Sequence, residues 1–243
     1  MKRSVLAVLI RLSVSTMSAS AATPVLTSGH ADFIGIGYEG GEFEPHSHVE
    51  GGVVDGTVRP DEEFEPGDLI VQVYATTIRP ASSAWDPTGV PSGQSINLLY
   101  ETDIAGKPFV GIGAEELDPT AWTGVTVTLT EMVGPAGGQF SLWQTDSGVP
   151  TFFISTLGGI SIADAYTFDD LEEDDHAHFG WGFTVEGTYE LTFKISGTHS
   201  VDGFKESLPA TYTFNVIPEP SAALLGAMGA LALLRRRNCP PRK

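Results

Sequence analysis

Short segments in which apolar and polar residues alternate run through most of the chain. Residues 125–130 (Val-Thr-Val-Thr-Leu-Thr) alternate strictly, which is typical of an antiparallel strand with one buried face. Glycine- and proline-containing turn signals separate such segments, and no segment keeps the 3.6-residue period of a helix. We therefore predict an all-β protein with strands at Asp32–Tyr38, Leu69–Ile78, Val125–Met132, Phe140–Gln144, Thr151–Ser155, Tyr189–Ser196 and Tyr212–Val216.

The last third of the chain favours an immunoglobulin-like, antiparallel β-sandwich. Residues 186–188 form a turn signal that leads into a strand, and Tyr189 stands where a tyrosine corner would place its hydroxyl against the backbone. Phe179, Trp181 and Phe183 share one strand face, which favours core packing over a carbohydrate-binding platform. Trp85 and Trp122, in proline-containing segments, are better candidates for exposed contacts.

The N-terminus predicts export. Residues 1–22 have the features of a secretory signal peptide: Lys2 and Arg3 are basic, an apolar stretch follows, and small residues around Ala21 and Ala22 supply the cleavage site. The predicted exported β-domain comprises residues 23–217.

The C-terminal residues 218–243 carry three features in a fixed order: Pro218-Glu219-Pro220, an apolar run, and the basic group Arg235, Arg236 and Arg237. This order resembles the PEP-CTERM sorting signal of Gram-negative bacteria. The resemblance implies a short membrane helix, recognition by an exosortase-type membrane enzyme, and delivery to the cell envelope, cell surface or extracellular matrix. The apolar run from Ser221 to Leu234 is shorter than the ~20 residues that span a bilayer. An ordinary tail anchor is the alternative.

The charge of the predicted β-domain is strongly negative. It contains five Lys and Arg residues against 30 Asp and Glu residues, a formal net charge of −25. Such a surface repels nucleic acid and anionic lipid and attracts cations, although acidity also serves solubility. The only cysteine of the sequence, Cys239, lies in the tail, so disulfides, thiol catalysis and thiolate metal sites are excluded for the domain.

Five of the six histidines fall in three motifs with one spacing: His30-Ala31-Asp32, His46-Ser47-His48 and His176-Ala177-His178. Residues i and i+2 of a strand face the same side, so each motif aims two potential ligands at one point. Imidazole and carboxylate groups suit zinc or another borderline divalent cation, and Asp32 could ligate or orient a histidine. If the motifs converge in space they form a metal site; if not, they are structural or surface residues. His199, alone in a glycine-flanked loop, is expected to be solvated.

Several segments around these motifs are glycine- and aromatic-rich. They are residues 29–33, 40–48, 110–116, 134–143 and 176–189, the last of which contains His176-Ala177-His178-Phe179-Gly180-Trp181-Gly182-Phe183 and then Gly187-Thr188-Tyr189. Together they resemble the surface-anchored choice-of-anchor M proteins, whose actinobacterial members carry a His-x-His, Trp, Phe, Gly-x-Tyr motif. The resemblance implies an extracellular β-domain on an interchangeable anchor. It also implies metal capture, because some relatives are linked to metal-uptake transporters. Gly180 stands where relatives commonly have a polar residue.

Enzyme signatures are missing from the sequence. It contains no Gly-x-Ser-x-Gly elbow, no phosphate-binding Gly-x-x-x-x-Gly-Lys-Ser/Thr loop and no His-Glu-x-x-His motif. We predict an exported, non-enzymatic surface protein that binds a divalent metal such as zinc through the histidine motifs. The alternative is a structural or adhesive component of the surface or extracellular matrix, in contact with extracellular polysaccharide, whose histidines only stabilise the fold.

Overall fold

The computed structural model describes residues 22–218. The strands in this part of the chain are β1 (Val25–Glu39), β2 (Glu42–Val54), β3 (Thr57–Arg59), β4 (Glu62–Phe64), β5 (Ile70–Val73), β6 (Ala75–Ile78), β7 (Ser95–Leu99), β8 (Pro108–Gly113), β9 (Trp122–Val133), β10 (Phe140–Asp146), β11 (Val149–Ser155), β12 (Ala165–Phe168), β13 (His176–His178), β14 (Gly180–Phe183), β15 (Gly187–His199), β16 (Gly203–Glu206) and β17 (Ala210–Val216). A short 3₁₀ helix occupies Ser83–Thr88. The all-β prediction is confirmed.

The predicted targeting segments lie almost entirely beyond this range. Apart from Ala22 and Pro218, the predicted signal peptide (1–22) and sorting segment (218–243) are outside the described residues. Within residues 22–218, the structure has no helix whose length and apolar character would let it cross a membrane.

The strands form two sheets. The larger sheet follows the order β12-β9-β15-β17-β5-β1-β2-β3, with β8 and β13 continuing outward from β1, β4 paired with β2, and β16 paired with β15. The smaller sheet has the order β11-β10-β14-β7-β6. Buried residues of both sheets belong to one hydrophobic cluster, so the sheets enclose a shared core as in a β-sandwich.

The larger sheet is mixed, so the antiparallel strand direction predicted for the β-sandwich is wrong for some of its strand pairs. β1 runs parallel to β5 at its start and parallel to β8 from Gly29 to Gly35, and β17 also runs parallel to β5. Parallel neighbours require long connections between strands, and strand alternation alone cannot reveal them. This arrangement matters for the site, because β1 lies between β2 and β8.

The predicted strand Leu69–Ile78 is two strands in different sheets. β5 ends at Val73 in the larger sheet, and β6 begins at Ala75 in the smaller one. Tyr74 lies at the crossing, and its hydroxyl donates to the carbonyl oxygens of Thr27 and Gly106. The other six predicted strands each lie within one observed strand.

Aromatic side chains join the two sheets. Trp181 of β14 lies with its ring centroid 5.3 Å from that of Phe214 on β17, and Phe33 of β1 is 5.0 Å from Phe214. Phe179, Trp181 and Phe183 are fully buried, which confirms the prediction that this motif packs in the core.

The opposite face of β14 is also covered. Trp143 of β10 packs over Gly180 and Gly182, where a Cβ at either glycine would lie against its ring. Gly180 is therefore needed for packing, which explains why this chain has glycine there. The tyrosine-corner prediction also agrees with the structure, because the Tyr189 hydroxyl donates to the Val185 carbonyl (2.9 Å) and accepts from its N–H (3.2 Å).

Candidate metal centre

The three histidine motifs lie on the face of the larger sheet that is turned away from the core. Four neighbouring strands form a row of paired residues across the sheet. Gly111 of β8 pairs with His178 of β13 on one side and with Asp32 of β1 on the other. Asp32 in turn pairs with His48 of β2. Residues between the motif positions, such as Ala31 and Ala177, face the core and are buried. The i, i+2 spacing thus places each motif's two polar side chains on the outer face, as strand geometry requires.

A second row, one rung further along, contains two glycines. In this row, Gly113 of β8 pairs with His176 of β13 on one side and with Gly35 of β1 on the other. Gly35 in turn pairs with His46 of β2. A Cβ at Gly113 would lie 2.7 Å from Asp32 Cγ, and one at Gly35 would lie 2.6 Å from His46 Nε2. These glycines form a floor on which the Asp32 carboxylate and the His46 ring rest.

His30, His176 and His178 bring one ligand nitrogen each within 4.8 Å of one another. The Nε2 atoms of His30 and His178 are 3.3 Å apart. Two ligands that bind one zinc ion at about 2.0–2.1 Å in tetrahedral geometry are separated by about 3.4 Å. The His30–His178 pair therefore already has the spacing of two zinc ligands, and His176 brings a ligand nitrogen within 4.8 Å of theirs. We call these three histidines the triad. Without a metal, the same contact is a hydrogen bond between two imidazoles.

Neighbouring groups fix the rings of the triad. His176 Nδ1 lies 3.1 Å from both the Glu115 carboxylate and the Asp174 carbonyl oxygen. Phe109 stacks on His178 with ring centroids 3.6 Å apart. Hydrogen bonds from the second ring nitrogen to carboxylate or carbonyl groups are the usual way in which proteins orient metal-binding histidines.

Asp32 is the most unusual polar residue of this face. It is only 2 % exposed, and its Oδ1 has no hydrogen-bond partner. This oxygen lies 4.0 Å from His30 Nε2. Burial raises the pKa of Asp32 to about 6, with Glu115 adding to the effect. A buried carboxylate without partners is costly, and a bound cation would remove much of that cost.

Two triad histidines are held in the neutral form that binds metals. Burial lowers the pKa of His178 to about 4 and, together with the nearby His176, lowers the pKa of His30. At neutral pH these imidazoles are therefore unprotonated, as metal ligation requires.

His46 and His48 are not in the triad, although they lie on the same face. His46 Nε2 is 3.1 Å from Glu116 Oε1, and His48 Nε2 is 3.0 Å from Asp61 Oδ1. Burial alone would lower the pKa of His48, but the hydrogen bond and charge of Asp61 raise it overall. The structure thus gathers all six predicted side chains on one face and brings three within mutual ligand distance.

Two expectations for residues elsewhere are wrong. His199 is not simply solvated, because its ring packs between Tyr38 and Trp122 and its Nδ1 lies 3.2 Å from Asp202. Trp122 is only 7 % exposed and stacks on Phe43. Both residues belong to an aromatic cluster at the end of β1, which strand alternation did not indicate.

Sequence reasoning missed the residues that support the site. Glu115 and Glu116 contact His176 and His46, and Phe109 covers His178. The alternating glycines of residues 111–113 followed by two glutamates were the available signal. In the sorting motif, Pro218 is described, whereas Glu219, Pro220 and the three arginines lie outside the described residues.

The chain matches no protein-family model, and comparisons with curated proteins and with solved structures likewise give no match.

Proposed function

We propose that this protein is an exported, non-enzymatic surface protein that binds a divalent cation, with zinc as the best fit, through His30, His176 and His178. The observation that carries the proposal is the clustering of three ligand nitrogens within 4.8 Å, although His30 and His178 are 148 positions apart in the sequence. Three imidazoles form a common zinc ligand set, leaving a fourth position for water or another ligand.

The surroundings of the triad support this proposal. The Glu115 carboxylate orients His176, and the unpartnered Oδ1 of Asp32 lies beside His30. The negative charge of residues 23–217 attracts cations to the surface. The resemblance to choice-of-anchor M proteins points in the same direction.

Export and sorting are the second part of the proposal. Residues 1–22 would direct secretion of an immunoglobulin-like domain, and residues 218–243 would hold the chain in the inner membrane until an exosortase-type enzyme acts on Pro218-Glu219-Pro220. The support is the order of motif, apolar run and Arg235-Arg236-Arg237 in the sequence. The proposed location is the cell envelope, cell surface or extracellular matrix, where the metal site faces the exterior.

A zinc titration of the full chain tests the metal proposal. The protein is stripped with a chelator, and zinc affinity is measured by competition for wild type, the His176→Ala/His178→Ala double variant and His199→Ala as a matched histidine control. Removing a group that only hydrogen-bonds a metal ligand lowers metal affinity roughly 10–100-fold. We expect the double variant, which lacks two ligands, to lose more zinc affinity than that. His199→Ala should keep wild-type affinity, because His199 packs at another cluster. Equal zinc affinity in all three proteins would refute the proposal.

A structural or adhesive role is the second candidate function. It is favoured by the hydrogen bond between His30 and His178 and by the carboxylate partners of His46 and His48, which give each of these four rings one partner without a metal. In that case zinc would not raise the melting temperature of the wild type, and the double variant would be destabilised equally with and without zinc. Partnership with extracellular polysaccharide belongs to this candidate.

A further inference from the structure

A recess next to the triad contains a second set of potential metal ligands. It lies on the glycine floor and is lined by Asp32, His46, His48, Glu115 and Glu116. Its free volume of about 10 Å³ accommodates one water-sized species. Histidine and carboxylate side chains dominate the lining, so the chemistry of the recess is that of a cation site and not of an organic ligand pocket.

Among the described residues, only the triad already holds three donor atoms within 4.8 Å of one another. We propose that this recess binds a second divalent cation, with His46 Nε2 and Glu116 Oε1 as ligands and the Asp32 carboxylate drawing closer as a third when the ion binds. The first two atoms are 3.1 Å apart, close to the separation of about 3.0–3.4 Å for two ligands of one ion. His46 Nδ1 lies 3.1 Å from the Glu44 carbonyl oxygen, which fixes the ring with Nε2 directed toward Glu116. This is the ring orientation that metal-binding histidines generally have.

Asp32 connects the second position to the triad. Its neighbours on the sheet are His48 on one side and, across Gly111, His178 on the other. Its Oδ1 lies 4.0 Å from His30 Nε2 and has no hydrogen-bond partner, while the same carboxylate also lines the recess. Carboxylates that lie between two cations commonly bridge them, and paired metals in proteins are about 3.5–4 Å apart. The geometry points to a two-metal centre with Asp32 shared.

The donor sets of the two positions differ. The triad offers three imidazole nitrogens, whereas the recess offers one imidazole from His46 and the carboxylates of Asp32 and Glu116. Mixed nitrogen and oxygen donors accept zinc and also harder ions such as manganese. We therefore expect the recess to bind zinc more weakly than the triad and to be the position that manganese enters.

This inference rests on the proposed function, because Asp32 would serve both ions. Failure of the second site can nevertheless be distinguished from failure of the proposed function. The experiment is equilibrium dialysis of the full chain against zinc chloride, followed by metal analysis. We expect two zinc ions per wild-type chain and two in His199→Ala, but one in His46→Ala and one in Glu116→Gln. Glu116 is about half exposed, so Glu116→Gln keeps the fold if His46→Ala does not.

The outcomes distinguish the two proposals. One zinc ion in the wild type, abolished by His176→Ala/His178→Ala, would overturn the second site and leave the proposed function standing. No bound zinc would overturn both. Two ions that persist in Glu116→Gln would also contradict the assignment. Finally, loading with cobalt should give magnetically coupled ions, seen as reduced electron paramagnetic resonance intensity, whereas two independent cobalt signals would overturn the sharing of Asp32.

Discussion

Asp32 combines almost complete burial with a carboxylate oxygen that has no hydrogen-bond partner. Such a group lowers the stability of the metal-free fold, because the carboxylate gives up its hydration without compensation. Buried polar groups without a partner are rare in native proteins, and a bound ion is one of the explanations for them. Under the proposed function, Asp32 would lower the stability of the metal-free protein and leave a position prepared for a cation.

Asp32→Asn should therefore stabilise the metal-free protein above pH 6. The pKa of Asp32 is about 6 in the folded state, against an ordinary value of 3.8 for an aspartate. Its contribution to stability is therefore present below pH 3.8 and is lost as pH rises through 6. The neutral amide removes this loss, and we expect a gain on the order of 2–3 kcal/mol in the free energy of unfolding at pH 8. Urea unfolding in the presence of EDTA measures it.

The pH profile of the same variant gives an independent check. The pKa of His178 is about 4 in the folded state, against an ordinary value of 6.5 for a histidine. The contribution of His178 to the stability of the fold is therefore present above pH 6.5 and is lost as pH falls through 4. In the wild type, Asp32 opposes this change between about pH 4 and 6; in Asp32→Asn, stability should rise with pH over that interval. Asp68→Asn, at an exposed position, is the control. A variant no more stable than the wild type at pH 8 would contradict the burial argument.

Individual strands set the shape of the site through their glycines. β8 and β1 contribute Gly113 and Gly35 to the floor, and β14 contributes Gly180 beneath Trp143. In each case the missing side chain makes room for a larger one on the next strand. Each of these strands therefore has apolar residues that face the core, and glycines at positions where a ring or a carboxylate from the next strand packs against it.

Gly113→Ala and Gly180→Ala should separate stability from metal binding. Each added methyl group meets a buried side chain, Asp32 in the first case and Trp143 in the second. Overpacking of this kind costs about 1–3 kcal/mol, measured by thermal or urea unfolding. Only Gly113→Ala should also weaken zinc binding, because it displaces Asp32 at the site. Equal loss of zinc affinity in both variants would show that the effect is a general one of reduced stability.

The loop before β15 depends on the Tyr189 hydroxyl. It makes two hydrogen bonds with the backbone of Val185, at 2.9 and 3.2 Å. Tyr189→Phe removes both without changing the buried ring, so we expect a loss of about 1–2 kcal/mol in the free energy of unfolding. Tyr166→Phe on β12 is the matched control. Zinc affinity should stay unchanged, because Tyr189 lies on β15, which β17 and β5 separate from β1 in the sheet order.

Several elements could be predicted from the chain because their cause is local. Six predicted strands were found, and Phe179, Trp181 and Phe183 are in the core as their spacing indicated. The break at Tyr74 could not be predicted, because Leu69–Ile78 has continuous strand character and only the second sheet draws residues 75–78 away. His199 was misjudged because its partners, Tyr38 and Trp122, are distant in sequence.

The molecule as a whole is dominated by negative charge. Residues 23–217 carry a formal net charge of −25, and among the few cations Lys194 pairs with Glu206 and Arg59 with Glu62. Repulsion among so many carboxylates opposes the compact state. Screening by salt should relieve it, since exposed charges act over roughly 10 Å at 0.1 M salt and over less at higher concentrations.

We expect the melting temperature of the EDTA-treated protein to rise by about 2–5 °C between 20 mM and 500 mM sodium chloride. Scanning calorimetry measures it, and a matched series in sodium acetate separates screening from a specific chloride effect. A falling melting temperature would mean that the ion pairs outweigh the repulsion.

The sequence by itself determined the all-β class, the strand faces, the absence of cysteine from the domain and the spacing that puts each histidine motif on one face. These properties depend on neighbours along the chain. Only the tertiary structure decided that β1 lies between β2 and β8, with β13 beyond. That order places His30 beside His176 and His178, and puts Asp32 between the triad and the recess of His46. Strand pairing joins residues more than 140 positions apart, and its register arises from packing of the whole core, which no local pattern encodes.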